Sequence, residues 1–263
     1  MFMKSLLGVI AAGGIMLAAG AANATVGTYT SQTAYSSFAG GGTIGIQDDV
    51  DWGQFSLAQN NSPINNSSVA NGATMTTVNN EKVTVTNGAS NGFTVYTNGL
   101  TGTPLTQGQR WDGDFANGTN VLATGSTSIT LTFAGAVTGF GLHAQTSAAG
   151  AYGFTIQAFN SSGVLLGSIS NSGTSTGRAS SSFNTAPFAG ITSTAGDISY
   201  VTITATGPNT GSGFAIDTSL IYHFANNQTS GGGGTQTPEP GTLALLGAGL
   251  AALGAVRRRR NRA

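Results

Sequence analysis

The stretch Ile129-Thr130-Leu131-Thr132-Phe133 decides the fold class of this chain. Apolar residues alternate with threonines, so an extended strand places the apolar side chains on one face and the hydroxyls on the other. Threonine is also a good strand former, so pattern and propensity agree. The same alternation recurs at residues 83–86 and 201–204. These stretches predict antiparallel strands with one buried and one solvated face.

Further strand candidates are short and are separated by turn residues. Residues 154–159 and 164–169 flank Asn160-Ser161-Ser162-Gly163, which predicts a hairpin. The other candidates are residues 74–78, 93–96, 140–145, 188–192 and 214–222. No helical period of useful length occurs between residues 25 and 230. The pattern predicts an all-β fold, a two-sheet antiparallel sandwich that is jelly-roll-like.

Less regular segments mark loops and boundaries. Residues 59–72 and 170–182 are rich in Ser, Asn, Thr and Gly, and both are predicted to be long surface loops. Residues 226–237 contain four consecutive glycines and predict a flexible linker. The predicted organisation is a signal peptide at 1–24, a β-sandwich ectodomain at 25–225, the linker, and a C-terminal segment at 238–263.

The composition limits the classes of function. The chain has 263 residues, no Cys, and only 7% charged residues. Between residues 25 and 234, three cations stand against eight carboxylates, a net charge of −5, so the body has no basic surface for nucleic acid. The absence of cysteine excludes disulfides, thiolate metal sites and a cysteine nucleophile.

The N-terminus has the three parts of a secretory signal peptide. Lys4 precedes an apolar stretch at residues 6–17, and Ala22-Asn23-Ala24 supplies small residues at a cleavage site. We expect signal peptidase to cleave after Ala24, so that the mature chain begins at Thr25 outside the inner membrane. The alternative is a permanent N-terminal anchor.

The C-terminus combines a rigid break, an apolar helix and a cationic end. Pro238 and Pro240 flank Glu239 and disfavour helix there. Residues 242–256 are apolar but span only about 23 Å as a helix, against about 30 Å of hydrocarbon. A cluster of arginines follows, which is expected to stay cytoplasmic. It comprises Arg257, Arg258, Arg259, Arg260 and Arg262.

This order of parts resembles the PEP-CTERM sorting signal of exported proteins in Gram-negative bacteria that make exopolysaccharide. The resemblance implies that Pro238, Glu239 and Pro240 are recognised by a membrane-embedded exosortase, which removes a transient membrane segment at residues 243–256. The predicted location is therefore the cell surface or the extracellular space after C-terminal processing. A permanent stop-transfer anchor is the alternative.

The body has a looser likeness to the β-sandwich ectodomains that often carry such signals. The stretches that carry it include Trp111-Asp112-Gly113-Asp114-Phe115-Ala116 and Gly213-Phe214-Ala215-Ile216-Asp217. Those ectodomains mostly have no assigned activity, so the likeness implies fold and location but no chemistry.

No catalytic residues stand out, and we expect a protein that is not an enzyme. His143 and His223 lack evident partners in the sequence, and neither a Gly-x-Ser-x-Gly elbow nor a His pair at metal-ligand spacing occurs. Both histidines are expected to have structural or surface roles.

Acidic residues cluster at Asp48-Asp49-Val50-Asp51 and at Asp112-Gly113-Asp114. Carboxylate oxygens suit Ca²⁺, so Asp48, Asp49 and Asp51 are candidate ligands. Asp217 joins them if the first and last strands are adjacent. Solvated turn acids are the alternative interpretation. No cofactor is otherwise predicted.

Trp52 and Trp111 are candidates for stacking on a sugar, which would make the body a polysaccharide-binding module. The alternative is that both are core residues. The leading hypothesis is a non-enzymatic, exosortase-sorted protein with a structural or interaction role in an exopolysaccharide or biofilm matrix. A carbohydrate-binding module, with or without Ca²⁺, is the second hypothesis, and a secreted hydrolase is the third.

Overall fold

A computed structural model describes residues 24–40, 46–55, 67–77, 79–88, 91–99, 111, 113–177, 184–207 and 213–223. These residues belong to one compact unit, and their regular structure is almost entirely β-strand. The strands form two sheets, and every strand pair in them is antiparallel. The prediction of an all-β, two-sheet antiparallel architecture is therefore confirmed.

The larger sheet has nine strands among the described residues. They are β1 (Val26–Tyr29), β2 (Ile46–Val50), β3 (Ser67–Val69), β6 (Phe93–Thr97), β7 (Asn120–Thr124), β9 (Gly139–Thr146), β12 (Phe188–Ser193), β14 (Phe214–Ile216) and β15 (Ser219–His223). Their spatial order is β1-β12-β9-β14-β7-β6-β3, and β15 lies between β9 and β2. Strand β9 thus pairs with β12 along one edge and with both β14 and β15 along the other.

The smaller sheet has six strands in the described part of the chain. They are β4 (Thr74–Thr76), β5 (Lys82–Asn87), β8 (Ser128–Val137), β10 (Gly150–Phe159), β11 (Leu165–Ser175) and β13 (Ile198–Thr206). The order is β11-β10-β13-β8-β5-β4, and β10 and β11 form the predicted hairpin.

The core lies between the two sheets and follows the predicted alternation. Ile129, Leu131 and Phe133 of β8 are buried and join one cluster with apolar side chains of both sheets. Phe133 contacts Phe140 of β9, with ring centroids 5.9 Å apart. Burial of this apolar surface is the main favourable term in folding the sandwich.

The outer face of the smaller sheet carries hydroxyl groups, as the same alternation predicts. Thr130 and Thr202 are hydrogen-bonded across β8 and β13, with their oxygens 3.2 Å apart. Thr155 and Ser170 are bonded across β10 and β11, with oxygens 2.7 Å apart. We call this surface the hydroxyl face; Thr204 lies between its rows, directly opposite Thr155.

A short helix covers the outer face of the larger sheet. Helix α1 (Gln32–Gly40) inserts Tyr35, which is fully buried, over the paired residues Gly141 and Gly190. The Phe188 ring lies beside it, 5.4 Å away between centroids. A Cβ on Gly141 would lie 2.6 Å from Phe188, and one on Gly190 would lie 2.7 Å from Tyr35. The two glycines therefore provide the space for both rings.

The structure corrects several element predictions. Helix α1 was not expected, because nine residues with one buried aromatic give no helical period; packing of Tyr35 stabilises it. Residues 170–175, expected in a loop, complete strand β11, because their backbone pairs with β10. Residues 67–69, also expected in a loop, form β3. The predicted strand 214–222 is divided into β14 and β15.

Several expectations fall on residues that the structure does not describe. They are the signal peptide up to residue 23, the linker at 226–237 and the sorting segment at 238–263. Within the described ranges, no helix combines the length and apolarity that crossing a bilayer requires.

We predict that Gly141→Ala and Gly190→Ala each destabilise the protein by about 1–3 kcal/mol, because the new methyl group overlaps buried ring atoms that cannot move freely. Thermal unfolding should show a melting temperature lower by about 2–10 °C. The matched control is Gly125→Ala, where an added Cβ meets no atom within 4 Å. Equal melting temperatures for Gly141→Ala and Gly125→Ala would contradict this account.

Candidate functional site

A cavity of about 400 Å³ opens beside β9, where β14 gives way to β15. Its apolar wall contains Phe115, Ala116, Ala186 and Leu220. Its polar lining contains Gln32, Asp114, Thr119, His143, Asn184, Asp217 and Thr218. This volume is typical of small-molecule sites. We call this cavity the His143 pocket.

His143 is held by the carboxylate of Asp217 at two points. Asp217 Oδ1 accepts a hydrogen bond from the His143 backbone N–H at 2.8 Å, and Asp217 Oδ2 lies 2.8 Å from His143 Nδ1. The Asp217 N–H donates in turn to the His143 carbonyl at 3.2 Å. The carboxylate thus occupies the place of a strand carbonyl in the ladder, between β14 and β15, which pair with successive parts of β9. The imidazole is therefore held by its own contact with Asp217 and by the two hydrogen bonds that join the His143 backbone to Asp217.

Two aromatic residues also contact the His143–Asp217 pair and hold it in place. The Phe188 ring meets the His143 ring edge-on, with centroids 5.2 Å apart. The Trp52 indole N–H donates to the Asp217 carbonyl at 2.6 Å. Trp52 is completely buried, so it has no free ring face for a sugar. Its position agrees with the core interpretation, and its polar atom anchors Asp217.

His143 itself remains partly accessible, with 25% of its side chain exposed. Because Nδ1 faces the carboxylate, a neutral imidazole carries its proton there, and Nε2 is left as an acceptor. No hydrogen bond among the described residues uses Nε2. No partner for His143 is evident in the sequence, and in the structure its partner is Asp217.

A buried polar network lies behind the pocket and centres on Gln145 of β9. Its Oε1 accepts from the Trp111 indole N–H at 2.9 Å and from the Asp114 N–H at 3.0 Å. Its Nε2 donates to Ser175 Oγ at 3.0 Å. Gln145 is wholly buried and Trp111 is 1% exposed. Trp111, like Trp52, therefore presents no stacking surface and has the position of a core residue.

Asp114 is also buried, and its charge is satisfied within this network. Its Oδ1 accepts from Thr176 Oγ1 at 2.5 Å and its Oδ2 accepts from the Thr176 N–H at 3.2 Å. Burial, and secondarily the nearby Asp114 charge, raises the pKa of Tyr152 well above its usual value. Tyr152 therefore stays neutral and donates its hydroxyl to the Ala144 carbonyl at 2.6 Å. Asp112, the other member of this acidic cluster, lies outside the described residues.

The first acidic cluster lies beside the last strand, as the calcium hypothesis requires. Strand β2 pairs with β15, and Asp48 is opposite Ile221. The carboxylates nevertheless have separate partners. Asp48 accepts from Thr77 and Asn79, Asp49 from Gln47, and Asp51 from Gly53 and Asn120. Among the described residues, no three acidic or histidine side chains converge as a metal site would need.

The second histidine also lies near a carboxylate, but in a closed setting. His223 Nε2 is 4.0 Å from Asp48 Oδ2 and has no hydrogen-bond partner among the described residues. The His223 side chain is 12% exposed and that of Asp48 is fully buried. Like His143, His223 therefore lies near a carboxylate, but it does not line the His143 pocket.

At the N-terminal end, the predicted first residue of the mature chain is tied to the sheet. The Thr25 backbone N–H donates to Thr194 Oγ1 at 2.9 Å, and the Thr194 N–H donates to the Thr25 carbonyl at 3.1 Å. Ala24 is described and Ala22 is not. The sorting residues Pro238, Glu239 and Pro240 and the arginine cluster also lie outside the described residues.

Comparison with known proteins identifies the C-terminal segment. Residues 236–260 match the family described as the PEP-CTERM protein-sorting motif, which confirms the resemblance stated from the sequence. The motif indicates export to the envelope of a Gram-negative bacterium, with processing by an exosortase at the C-terminus.

No curated protein matches the chain. Among solved structures, the chain is similar to the crystal structure of a DUF4465 family protein from Bacteroides caccae ATCC 43185. The identity is 14%, the match covers 67% of this chain and 99% of that chain, and the TM-score is 0.35. A TM-score this low supports no inference about this chain.

We predict that Gln145→Leu destabilises the protein by about 2 kcal/mol or more, because it removes the amide oxygen that accepts from the buried Trp111 and Asp114 N–H groups. Urea unfolding monitored by tryptophan fluorescence measures the change. Gln157→Leu, on the outward side of β10, is the matched control and should change stability by less than about 0.5 kcal/mol. Similar losses in the two variants would show that the network is unimportant.

We also expect that neither EDTA nor added Ca²⁺ changes the melting temperature. The carboxylates of Asp48, Asp51 and Asp217 already accept hydrogen bonds from different donors of the chain itself. Thermal scans with and without each reagent test this. A calcium-dependent rise that Asp51→Asn abolishes would restore the metal hypothesis.

Proposed function

We propose that this chain is an exported, non-enzymatic protein of the cell surface or extracellular matrix, with a structural or interaction role. The single observation that carries the proposal is the match of residues 236–260 to the PEP-CTERM protein-sorting motif. We further propose that signal peptidase removes residues 1–24 and that the processed body acts within an exopolysaccharide or biofilm matrix.

The surface of the body supports an interaction role. The hydroxyl face offers many neutral donors and acceptors, and only 7% of the whole chain is charged. A surface of this kind forms hydrogen bonds with hydrated neutral polymers and does not depend on opposite charge.

The His143–Asp217 pair has a binding role in this proposal. His143 and Asp217 form the base and orienting acid of a hydrolytic arrangement, but such an arrangement also needs a nucleophile hydrogen-bonded to the base. Within the described residues, no serine or threonine hydroxyl is bonded to His143 Nε2. We propose that the pair binds a ligand.

A second candidate function is carbohydrate binding, and one observation favours it. The His143 pocket is lined by amides, hydroxyls and an imidazole acceptor together with an apolar wall. This mixture suits a sugar, whose hydroxyls need polar partners and whose C–H faces need apolar contact. The buried tryptophans contribute to this site only by positioning its walls.

The sorting proposal is tested in a bacterium that has an exosortase. We expect the exported protein to lack Arg257, Arg258, Arg259, Arg260 and Arg262, and intact-mass spectrometry of the purified protein measures this. Replacing Pro238, Glu239 and Pro240 together by alanine should leave the arginine cluster in place and shift the protein to the membrane fraction.

The control for that experiment is Gly231→Ala in the predicted linker, which leaves the recognition residues unchanged and should be processed normally. Recovery of the wild-type protein from the surface with its arginine cluster intact would overturn the sorting proposal. It would favour a permanent C-terminal anchor.

A further inference from the structure

We propose that the His143 pocket binds a neutral sugar residue, with His143 Nε2 accepting a hydrogen bond from a sugar hydroxyl. This inference rests on the proposed interaction role and names the ligand class of the same site. Four features of the pocket carry it: its uncommitted polar groups, its charge, its apolar wall and its rigid imidazole.

The first feature is a set of polar side chains that the fold does not use. Among the described residues, no hydrogen bond involves the side chains of Gln32, Thr119, Asn184 or Thr218. All four retain accessible surface, and they surround the same cavity as His143. By contrast, the buried amide side chains of Gln145 and Asn98 use both their oxygen and their nitrogen in hydrogen bonds. The uncommitted groups therefore remain available to a ligand.

The second feature is the charge of the lining, which selects against anions. Among the described residues, the lining contains no lysine or arginine, and it contains the carboxylates of Asp114 and Asp217. Both acids would repel a phosphate, sulfate or carboxylate ligand. A metal ion is also disfavoured, because His143 is joined by too few further ligands in the described structure.

The third feature is the apolar wall. The cavity is lined by groups that donate and accept hydrogen bonds and also by apolar residues, which are Phe115, Ala116, Ala186 and Leu220. A sugar ring has both kinds of surface, since hydroxyls project around its edge and C–H groups form its faces. A purely apolar ligand would leave the amides and the imidazole unpaired, and that costs affinity.

The fourth feature is the fixed orientation of the imidazole. The Asp217 carboxylate holds both the ring and the backbone of His143, and the edge of Phe188 limits rotation of the ring. Binding therefore needs little ordering of this acceptor. Asp217 is a positioning residue in this scheme, because its contact with Nδ1 sets the tautomer that leaves Nε2 as an acceptor.

The test uses the purified full-length chain in a detergent without sugar groups. The chain has two histidines, so ring resonances of ¹³C,¹⁵N-labelled protein give two sets of NMR signals. His143→Gln and His223→Gln assign them. The probes are glucose, galactose, mannose and N-acetylglucosamine, with glucuronate as the anionic comparison and dextran as a neutral polymer.

We expect at least one neutral sugar to shift the His143 ring signals in a saturable way, with a dissociation constant on the order of 1 mM for so small a ligand. The His223 signals should not move. Glucuronate should bind at least several-fold more weakly than glucose or galactose. A response to dextran would assign the site to polysaccharide chains, and a response to monosaccharides alone would assign it to free sugars.

Asp217→Asn separates positioning from a merely structural role. The new amide can donate to Nδ1 and so transfers the imidazole proton to Nε2, which removes the acceptor. The ¹⁵N shifts of His143 should report the changed tautomer, and sugar affinity should fall by about fivefold to tenfold. His223→Gln, outside the pocket, should bind as the wild type does.

The proposal is overturned if no neutral sugar moves the His143 signals, if glucuronate binds best, or if His143→Gln retains wild-type affinity. Each of these results is obtained with purified protein and does not depend on export or processing. Failure of the sugar site is therefore distinguishable from failure of the sorting proposal, which is measured by mass spectrometry of the exported chain.

Discussion

The placement of the Asp217 carboxylate against strand β9 is the constraint on which much of the larger sheet depends. Strand β9 needs an acceptor for the His143 N–H at the point where its partner changes from β14 to β15. A side chain supplies that acceptor, so the chain can leave one strand and begin the next without leaving a buried donor unpaired. The same carboxylate orients the imidazole beside the cavity. Asp217 therefore completes the hydrogen bonding of the sheet and also fixes the geometry of the pocket.

The two tryptophans share a related role that their burial reveals. Each donates its indole N–H to an acceptor near the pocket: Trp52 to the carbonyl of the lining residue Asp217, and Trp111 to Gln145, which also accepts from the lining residue Asp114. In a chain rich in small residues, these large side chains fill space and also fix polar groups in place. The tryptophans therefore do not line the candidate binding surface; they lie beneath it and hold the residues around it in place.

The sequence predicts the sandwich because alternation at residues such as Ile129 and Thr130 is a local property. It cannot predict the pairing of His143 with Asp217, since these residues are 74 positions apart and meet only through strand register. Helix α1 escapes prediction because its stability comes from Tyr35 lying over Gly141 and Gly190, which is again a tertiary contact. Strand β11 continues past residue 170 because the β10 backbone pairs with it, although its Ser-rich composition favours a loop. The signals at the chain ends are recognisable because each is a pattern of residues that are adjacent in the sequence.

The hydroxyl face has a consequence for the conditions under which the protein can work. Its hydration comes from neutral hydroxyl groups on adjacent strands, such as Thr130, Thr155 and Thr202. Mobile ions screen interactions between charges but have little effect on hydrogen bonds between uncharged groups and water. A surface wetted by threonine and serine therefore keeps its hydration at low and at high salt, whereas the interactions of a charged surface weaken as the ionic strength rises.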